Sequence, residues 1–280
     1  MRNELKHLLC VAVACIPLQV TAKPPVQEKV LATNYIVSDL DTGEIIAEKD
    51  TNEVRSIASI TKLMTAIVVL DAGQDLNEKI KITKTPGVST RLPLNSQIPR
   101  RELILLALMS SDNGAAKLLA ENYPGGESSA ITAMNFKAQL LGMNHTRFVD
   151  STGLLPDNVS NLEDLLKLTL AAHNYEIIRN YSTRSHDQIV INNKNKIDFK
   201  TTNSLVSKID VSLSKTGWIR ASGGCLLMVV YSQGKRLAII LLNSRNTQTR
   251  IRDGFLLMEY NNARNYRNLR SIHSTSSGFN

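Results

Sequence analysis

Apolar and polar positions alternate or cluster differently in three stretches of the chain. Tyr35-Ile36-Val37-Ser38-Asp39-Leu40 has strand composition, Asp41-Thr42-Gly43 has turn chemistry, and Glu44-Ile45-Ile46-Ala47 returns, which predicts a hairpin. From Ser56 to about Ala172 the pattern is helical. Lys62–Leu70 is almost uninterrupted in its apolar character, and Pro99 opens Arg100–Met109, as proline suits a first helical turn. Ala115–Asn122, Ala130–Leu141 and Leu162–Ala172 read as further helices. Strand chemistry returns after residue 185, and Cys225–Ser232 and Arg236–Leu242 are apolar runs joined across Gln233-Gly234-Lys235. Asp253–Arg264 reads as a closing amphipathic helix and Ser271–Asn280 as a polar tail. Strands at both ends around a helical middle predict an α/β (α+β) fold. One antiparallel sheet is fed by both termini, the helical insert forms a second lobe, and a cleft lies between them.

Composition supports a packed globular chain: 280 residues at 42% hydrophobic and 21% charged can bury a core, which excludes disorder over most of the length. No apolar run reaches the ~18 residues of a membrane span. The first segment is set apart from the fold. Arg2 and Lys6 precede the apolar Leu8–Leu18, and Val20-Thr21-Ala22 supplies small residues for signal peptidase, so residues 1–22 are expected to be a cleaved leader and 23–270 the folded domain. A lipoprotein signal at Cys15 lacks the usual leucine three positions earlier. Losing Arg2, Glu4 and Lys6 takes the formal charge from +8 to +7. It also leaves Cys225 as the sole cysteine, inside an apolar run, so no internal disulfide is available and the thiol reads as a small buried hydrophobe.

Serine and lysine three apart occur at Ser59/Lys62, Ser212/Lys215 and Ser232/Lys235. A hydroxyl nucleophile needs an amine held against it. Residues i and i+3 share a helix face but point to opposite faces of a strand, which disfavours Ser212, and Ser232 straddles a hairpin turn. Only Ser59 sits where a polar segment meets an apolar helix. Ser111-Asp112-Asn113, on its own, is a polar turn between two helices, and Lys215-Thr216-Gly217 a strand end with a glycine bend.

In that order the three motifs resemble those of the penicillin-binding protein and serine β-lactamase superfamily. Ser56–Ala66, Phe148–Leu154 and Thr202–Leu205 are similar to segments of the low-molecular-mass D-alanyl-D-alanine peptidases (family S11), and the likeness covers about residues 30–260. It implies a β-lactamase/transpeptidase-like fold, with an antiparallel sheet flanked by terminal helices and an all-helical lobe. It further implies Ser59 as acylated nucleophile, Lys62 as its base and Ser111 as proton relay. Asn113, Lys215, Thr216 and Gly217 would hold substrate, and the Ser59 and Trp218 N–H groups would form the oxyanion hole. Burial and the like charge of Lys215 would both lower the Lys62 pKa. Implied partners are peptidoglycan stem peptides and cross-links, with β-lactams as covalent inhibitors, and no metal or other cofactor.

Competing readings are weaker. A class A β-lactamase needs a deacylating glutamate after the second motif, and Ala130–Asp157 contains none. A silent wall-binding module would not need every motif residue. The histidines His145, His173, His186 and His273 lack metal-ligand spacing and read as surface groups, and no glycine-flanked serine elbow supports a Ser-His-Asp triad. Trp218 reads as a core or cleft-wall aromatic. Arginines gather from Arg245 to Arg270, but no nucleic-acid-binding motif accompanies them, and attraction to an anionic wall or membrane surface is simpler. The chain ends about 60 residues after Lys215, and many carboxypeptidase relatives carry a further β-rich domain and a membrane helix there. With its Ser-Asp-Asn, it resembles the short endopeptidase subgroup, expected in the periplasm without a membrane anchor; carboxypeptidase action is the alternative.

Overall fold

The computed structural model describes residues 30–83, 87–191 and 195–276, with side chains through residue 261. The expected leader, residues 1–22, lies outside the described residues. The central element is a five-stranded antiparallel sheet made from β1 (Asn34–Asp39), β2 (Ile45–Lys49), β9 (Val211–Ile219), β10 (Gly223–Ser232) and β11 (Lys235–Ser244), in the order β2-β1-β11-β10-β9. Asn34 pairs with Leu242 and Asp39 with Leu237, so the two ends of the chain meet in mid-sheet, as predicted. The β10–β11 connection is tighter than expected. Gln233 and Gly234 both have positive φ, as a two-residue twisted turn requires, and Lys235 already belongs to β11.

The uninterrupted apolar runs of β10 and β11 arise because both faces of the sheet are covered. Cys225, Leu227 and Val229 join the core beneath the helical lobe, while the alternate residues Leu226, Met228 and Val230 pack with Leu257 and Met258 of the last helix, α7 (Thr247–Ser276). That helix starts at Thr247 rather than Asp253, and its backbone continues through residues 271–276, into the expected polar tail. Among the described residues no helix is long and apolar enough to cross a membrane.

The helical lobe is built around α1 (Thr61–Asp71), every residue of which from Thr61 to Val69 is buried. A helix apolar all round belongs at the centre of a bundle. Packed about it are α2 (Arg100–Met109), α3 (Asn113–Glu121), α4 (Gly126–Leu140) and α5 (Leu162–His173). The region read as wholly helical also holds four short strands, β3 (Arg55–Ser56), β4 (Lys79–Lys81), β5 (Gln97–Pro99) and β6 (Val159–Ser160). Helix α6 (Glu176–Ser182) then leads into a hairpin, β7 (His186–Ile191) and β8 (Asn195–Lys200), beside the lobe junction.

Candidate active site

Strand β3 delivers the chain into a single 3-10 turn, Ala58–Ile60, that runs directly into α1. Ser59 lies on this turn and Lys62 in the first turn of α1, fully buried. The Lys62 Nζ is 2.8 Å from Ser59 Oγ, 2.8 Å from Asn113 Oδ1 and 2.5 Å from the Thr152 carbonyl oxygen. An ammonium would donate to all three oxygens. A neutral amine has only two protons, and the two carbonyl oxygens can do nothing but accept them, so its lone pair is left facing the serine hydroxyl. Burial lowers the Lys62 pKa from 10.5 to about 7, against the pull of the Asp150 and Asp112 carboxylates, which raise it. The like-charge repulsion expected between Lys62 and Lys215 is present, and it bears on Lys215. Lys215 is itself held well below the ordinary lysine range, first by burial and then by the charges of Lys62 and Arg250.

The Thr152 carbonyl has no counterpart in the sequence-predicted set. Asp150 fixes it: its Oδ1 accepts from the Thr152 N–H (2.5 Å), the Thr152 hydroxyl (2.9 Å) and the Gly153 N–H (2.6 Å), while Oδ2 accepts from the Leu155 N–H (2.7 Å). The aspartate therefore folds Asp150–Leu155 into a tight loop aimed at Lys62. The Thr65 hydroxyl of α1 secures it by donating to the Ser151 carbonyl at 2.7 Å.

Two glycines clasp the nucleophile turn. Gly153 has φ +78°, and a Cβ there would lie 2.0 Å from the Ala58 carbonyl oxygen. Gly217 needs no unusual φ; its constraint is space, since a Cβ would lie 2.9 Å from both Ala58 Cβ and Ser59 N. This is the physical reason for glycine after Lys215-Thr216, and it brings strand β9 alongside the Ser59 N–H. Ala58 is itself left-handed at φ +46°, an uncommon state for alanine, and Thr61 Oγ1 donates to its carbonyl at 2.7 Å.

The second motif joins α2 to α3. Asp112 caps α3 by accepting from the Ala115 N–H at 2.8 Å, as its turn character suggested. Ser111 takes φ +59°, with its Oγ accepting from Lys215 Nζ at 2.9 Å. Lys215 also donates to the Thr216 carbonyl at 2.8 Å, and the Thr216 and Thr202 hydroxyls are 2.5 Å apart. Ser59, Ser111, Asn113, Thr216, Gly217 and Trp218 line one cleft of about 410 Å³ between the lobes. Lys62 and Lys215, both buried, touch its lining through Ser59 and Asn113 and through Ser111 respectively. All of the sequence-predicted site residues thus converge.

Trp218 is 56% exposed, a cleft-wall aromatic and not a core one. Sequence reasoning missed Arg250, read only as part of a basic cluster. It is buried, lines the cleft and donates from Nη1 to the Gly217 carbonyl at 2.7 Å, holding the strand that carries the third motif. His173 corrects the surface reading: it is buried, its Nε2 is 3.0 Å from Ser212 Oγ, and burial lowers its pKa. His145 and His186 are exposed, and the side chain of His273 lies outside the described residues. Cys225 is buried, its thiol pushed up to about 11 by burial. Among the described residues no cluster could hold a metal ion.

A serine–lysine pair in a cleft between an antiparallel sheet and a helical lobe places the protein in the DD-transpeptidase and β-lactamase-like class. The structure matches the Streptomyces K15 DD-transpeptidase with TM-score 0.78 at 25% identity, covering 84% of this chain and 98% of that one. It matches penicillin-binding protein D2 from Listeria monocytogenes in its ampicillin-bound form with TM-score 0.73 at 27% identity, over 82% and 97%. By sequence it is 42% identical to the D-alanyl-D-alanine endopeptidase of Escherichia coli, over 86% of this chain and 80% of that protein. It is 36% identical to the endopeptidase of Pseudomonas aeruginosa, over 93% and 89%. Residues 19–246 match the D-alanyl-D-alanine carboxypeptidase family, peptidase family S11, and the chain belongs to it.

Proposed function

We propose that the protein is a serine D-alanyl-D-alanine endopeptidase that opens the peptide cross-links of peptidoglycan through a Ser59 acyl-enzyme. The observation that carries this is the Lys62 amine, depressed to about 7 and placed 2.8 Å from the Ser59 hydroxyl with its two protons engaged elsewhere. Ser59 Oγ attacks the D-alanyl carbonyl carbon while its proton passes to Lys62 Nζ. The Ser59 and Trp218 N–H groups receive the oxyanion. As the C–N bond breaks, Ser111 gives its proton to the leaving amine and takes back the one held by Lys62, which returns to the neutral amine, while Lys215 Nζ donates to the Ser111 oxygen and stabilises it. Water then hydrolyses the ester. Asn113 and Gly217 position the donor strand, and Lys215 and Thr216 face the leaving side.

The endopeptidase preference is supported by three relatives of 36–42% identity that are named endopeptidases, beside five relatives of 26–27% identity that are named carboxypeptidases. Such a substrate lies outside the cytoplasmic membrane, in keeping with residues 1–22 as a cleaved leader, residues 23–270 as the enzyme domain and a periplasmic location. A long leaving strand also supplies binding energy that can be used in the transition state.

The test incubates the protein with cross-linked muropeptide dimers and with monomeric pentapeptide, alongside penicillin labelling read by intact mass. Dimers are expected to be cleaved faster, and one drug molecule to add to the protein but not to Ser59→Ala. Faster release of D-alanine from the pentapeptide would make the enzyme a carboxypeptidase. Labelling that survives Ser59→Ala would remove Ser59 as nucleophile.

A further inference from the structure

Beside the catalytic cleft lies a second cavity, of about 360 Å³, lined by Arg91, Ser110, Asp112, Asp198, Phe199 and Lys200. The two abut. Asp112 sits between Ser111 and Asn113 of the cleft, and Lys200 lies two residues before Thr202, which lines it. Thr202 and Ser111 both belong to the side of the cleft occupied by Thr216 and Lys215, where a leaving strand would exit.

The charges in this cavity are unequally engaged. Asp112 spends its carboxylate on the α3 cap and on the Thr90 hydroxyl at 3.1 Å. Asp198 Oδ1 is 2.9 Å from His186 Nε2 and accepts from Gln188 Nε2 at 2.9 Å. Arg91 and Lys200 form no ion pair within 4 Å among the described residues. The Arg91 backbone N–H does donate to Asp112 Oδ2 at 3.4 Å, and the Gln188 and His186 hydrogen bonds, and after them the Lys200 charge, hold the Asp198 carboxyl below its usual range. Arg91 is nonetheless held in place: its guanidinium carbon sits 4.7 Å from the centroid of the Phe199 ring, and Phe199 is buried. A guanidinium lying over a ring face spends none of its N–H donors on that contact, so they can still donate to a carboxylate.

We infer that this cavity is a subsite for the leaving peptide strand, in which Arg91 and Lys200 receive a free carboxylate of that strand. The inference rests on the cross-link reading above, because only a cross-linked substrate has a second peptide carrying its own carboxylates beyond the scissile bond. The two cations would then measure the identity of the leaving group, and Asp112 would couple the subsite to the Ser111–Asn113 turn.

The experiment measures binding of a cross-linked dimer, and of the same dimer with its carboxylates amidated, by calorimetry on Ser59→Ala protein with and without Arg91→Gln plus Lys200→Gln. Two partly exposed charge contacts correspond to a loss of about tenfold in affinity. The double substitution is expected to weaken the native dimer by about that factor and to leave the amidated dimer unaffected. Amidation alone is expected to weaken binding to the parent by a similar factor, an outcome independent of how the variant folds. Equal affinity of the parent for native and amidated dimers overturns the subsite. Cleavage by the wild-type enzyme is scored separately. Dimers that are cleaved but bound without regard to their carboxylates refute the subsite alone, whereas carboxylate-dependent binding without cleavage refutes the endopeptidase reading alone.

Discussion

The rate at which penicillin acylates Ser59 should follow the titration of Lys62, and the structure sets both the midpoint and the size of the effect. The gap between an ordinary lysine at 10.5 and the buried Lys62 at about 7 corresponds to about 5 kcal/mol against the charged form. An unperturbed lysine would be neutral in roughly one molecule in three thousand at pH 7, whereas here it is neutral in about half. Protonation removes the base, so acylation is lost as pH falls through about 7 and is complete above it. The second-order rate constant, followed by stopped-flow fluorescence with a labelled penicillin from pH 5 to pH 9, should drop about tenfold between pH 6 and pH 5 and level off above pH 8. The Asp150 carboxylate holds the amine up from an even lower value. A profile flat from pH 5 to pH 8, or one still climbing at pH 9, would refute the assignment of Lys62 as a base neutralised by burial.

Two further outcomes follow from the geometry. Lys62→Arg keeps the charge but cannot offer a neutral nitrogen, so intact-mass labelling should be abolished, whereas Lys215→Arg retains a donor toward Ser111 and should stay measurably active; equal damage would undo the division of labour between the lysines. Gly153→Ala combines a positive φ with a Cβ driven against the Ala58 carbonyl, and should lower stability by about 2–3 kcal/mol in denaturant unfolding while slowing acylation; a variant of unchanged stability would show that the clasp does not hold the turn.

The parts of the site made of side-chain chemistry were legible in the chain. A serine three residues before a lysine at a helix start, a polar triplet between two helices and a Lys-Thr-Gly on a strand each carry their spacing in the sequence. The Thr152 carbonyl was hidden because every residue has a carbonyl; its only local trace is an aspartate followed by Ser-Thr-Gly, the signature of a side chain folding its own loop. Arg250 was hidden for a different reason. Its contact with Gly217 depends on how α7 lies across the sheet, which no local pattern encodes. Helix boundaries marked by proline or a capping aspartate were readable at α2 and α3. The polar start of α7 at Thr247, preceded by Arg245 and Asn246, resembles a loop in composition and lies before the helix expected from Asp253.

The pairing of Asn34 with Leu242 and of Asp39 with Leu237 has a consequence for how the molecule comes into being. Strand β1 is flanked by β2, its neighbour in the chain, and by β11, which is synthesised some two hundred residues later. Until β11 exists, β1 and β2 form an isolated hairpin with an open edge, and such a pair is marginal in water. The sheet therefore closes late, through contacts of long sequence separation that cannot form until the C-terminal strands have been made. Lys215, on the edge strand β9, can meet Ser111 only once that closure has seated the sheet against the helical lobe. A chain still emerging from the ribosome therefore lacks both the closed sheet and the Lys215–Ser111 contact that completes the cleft.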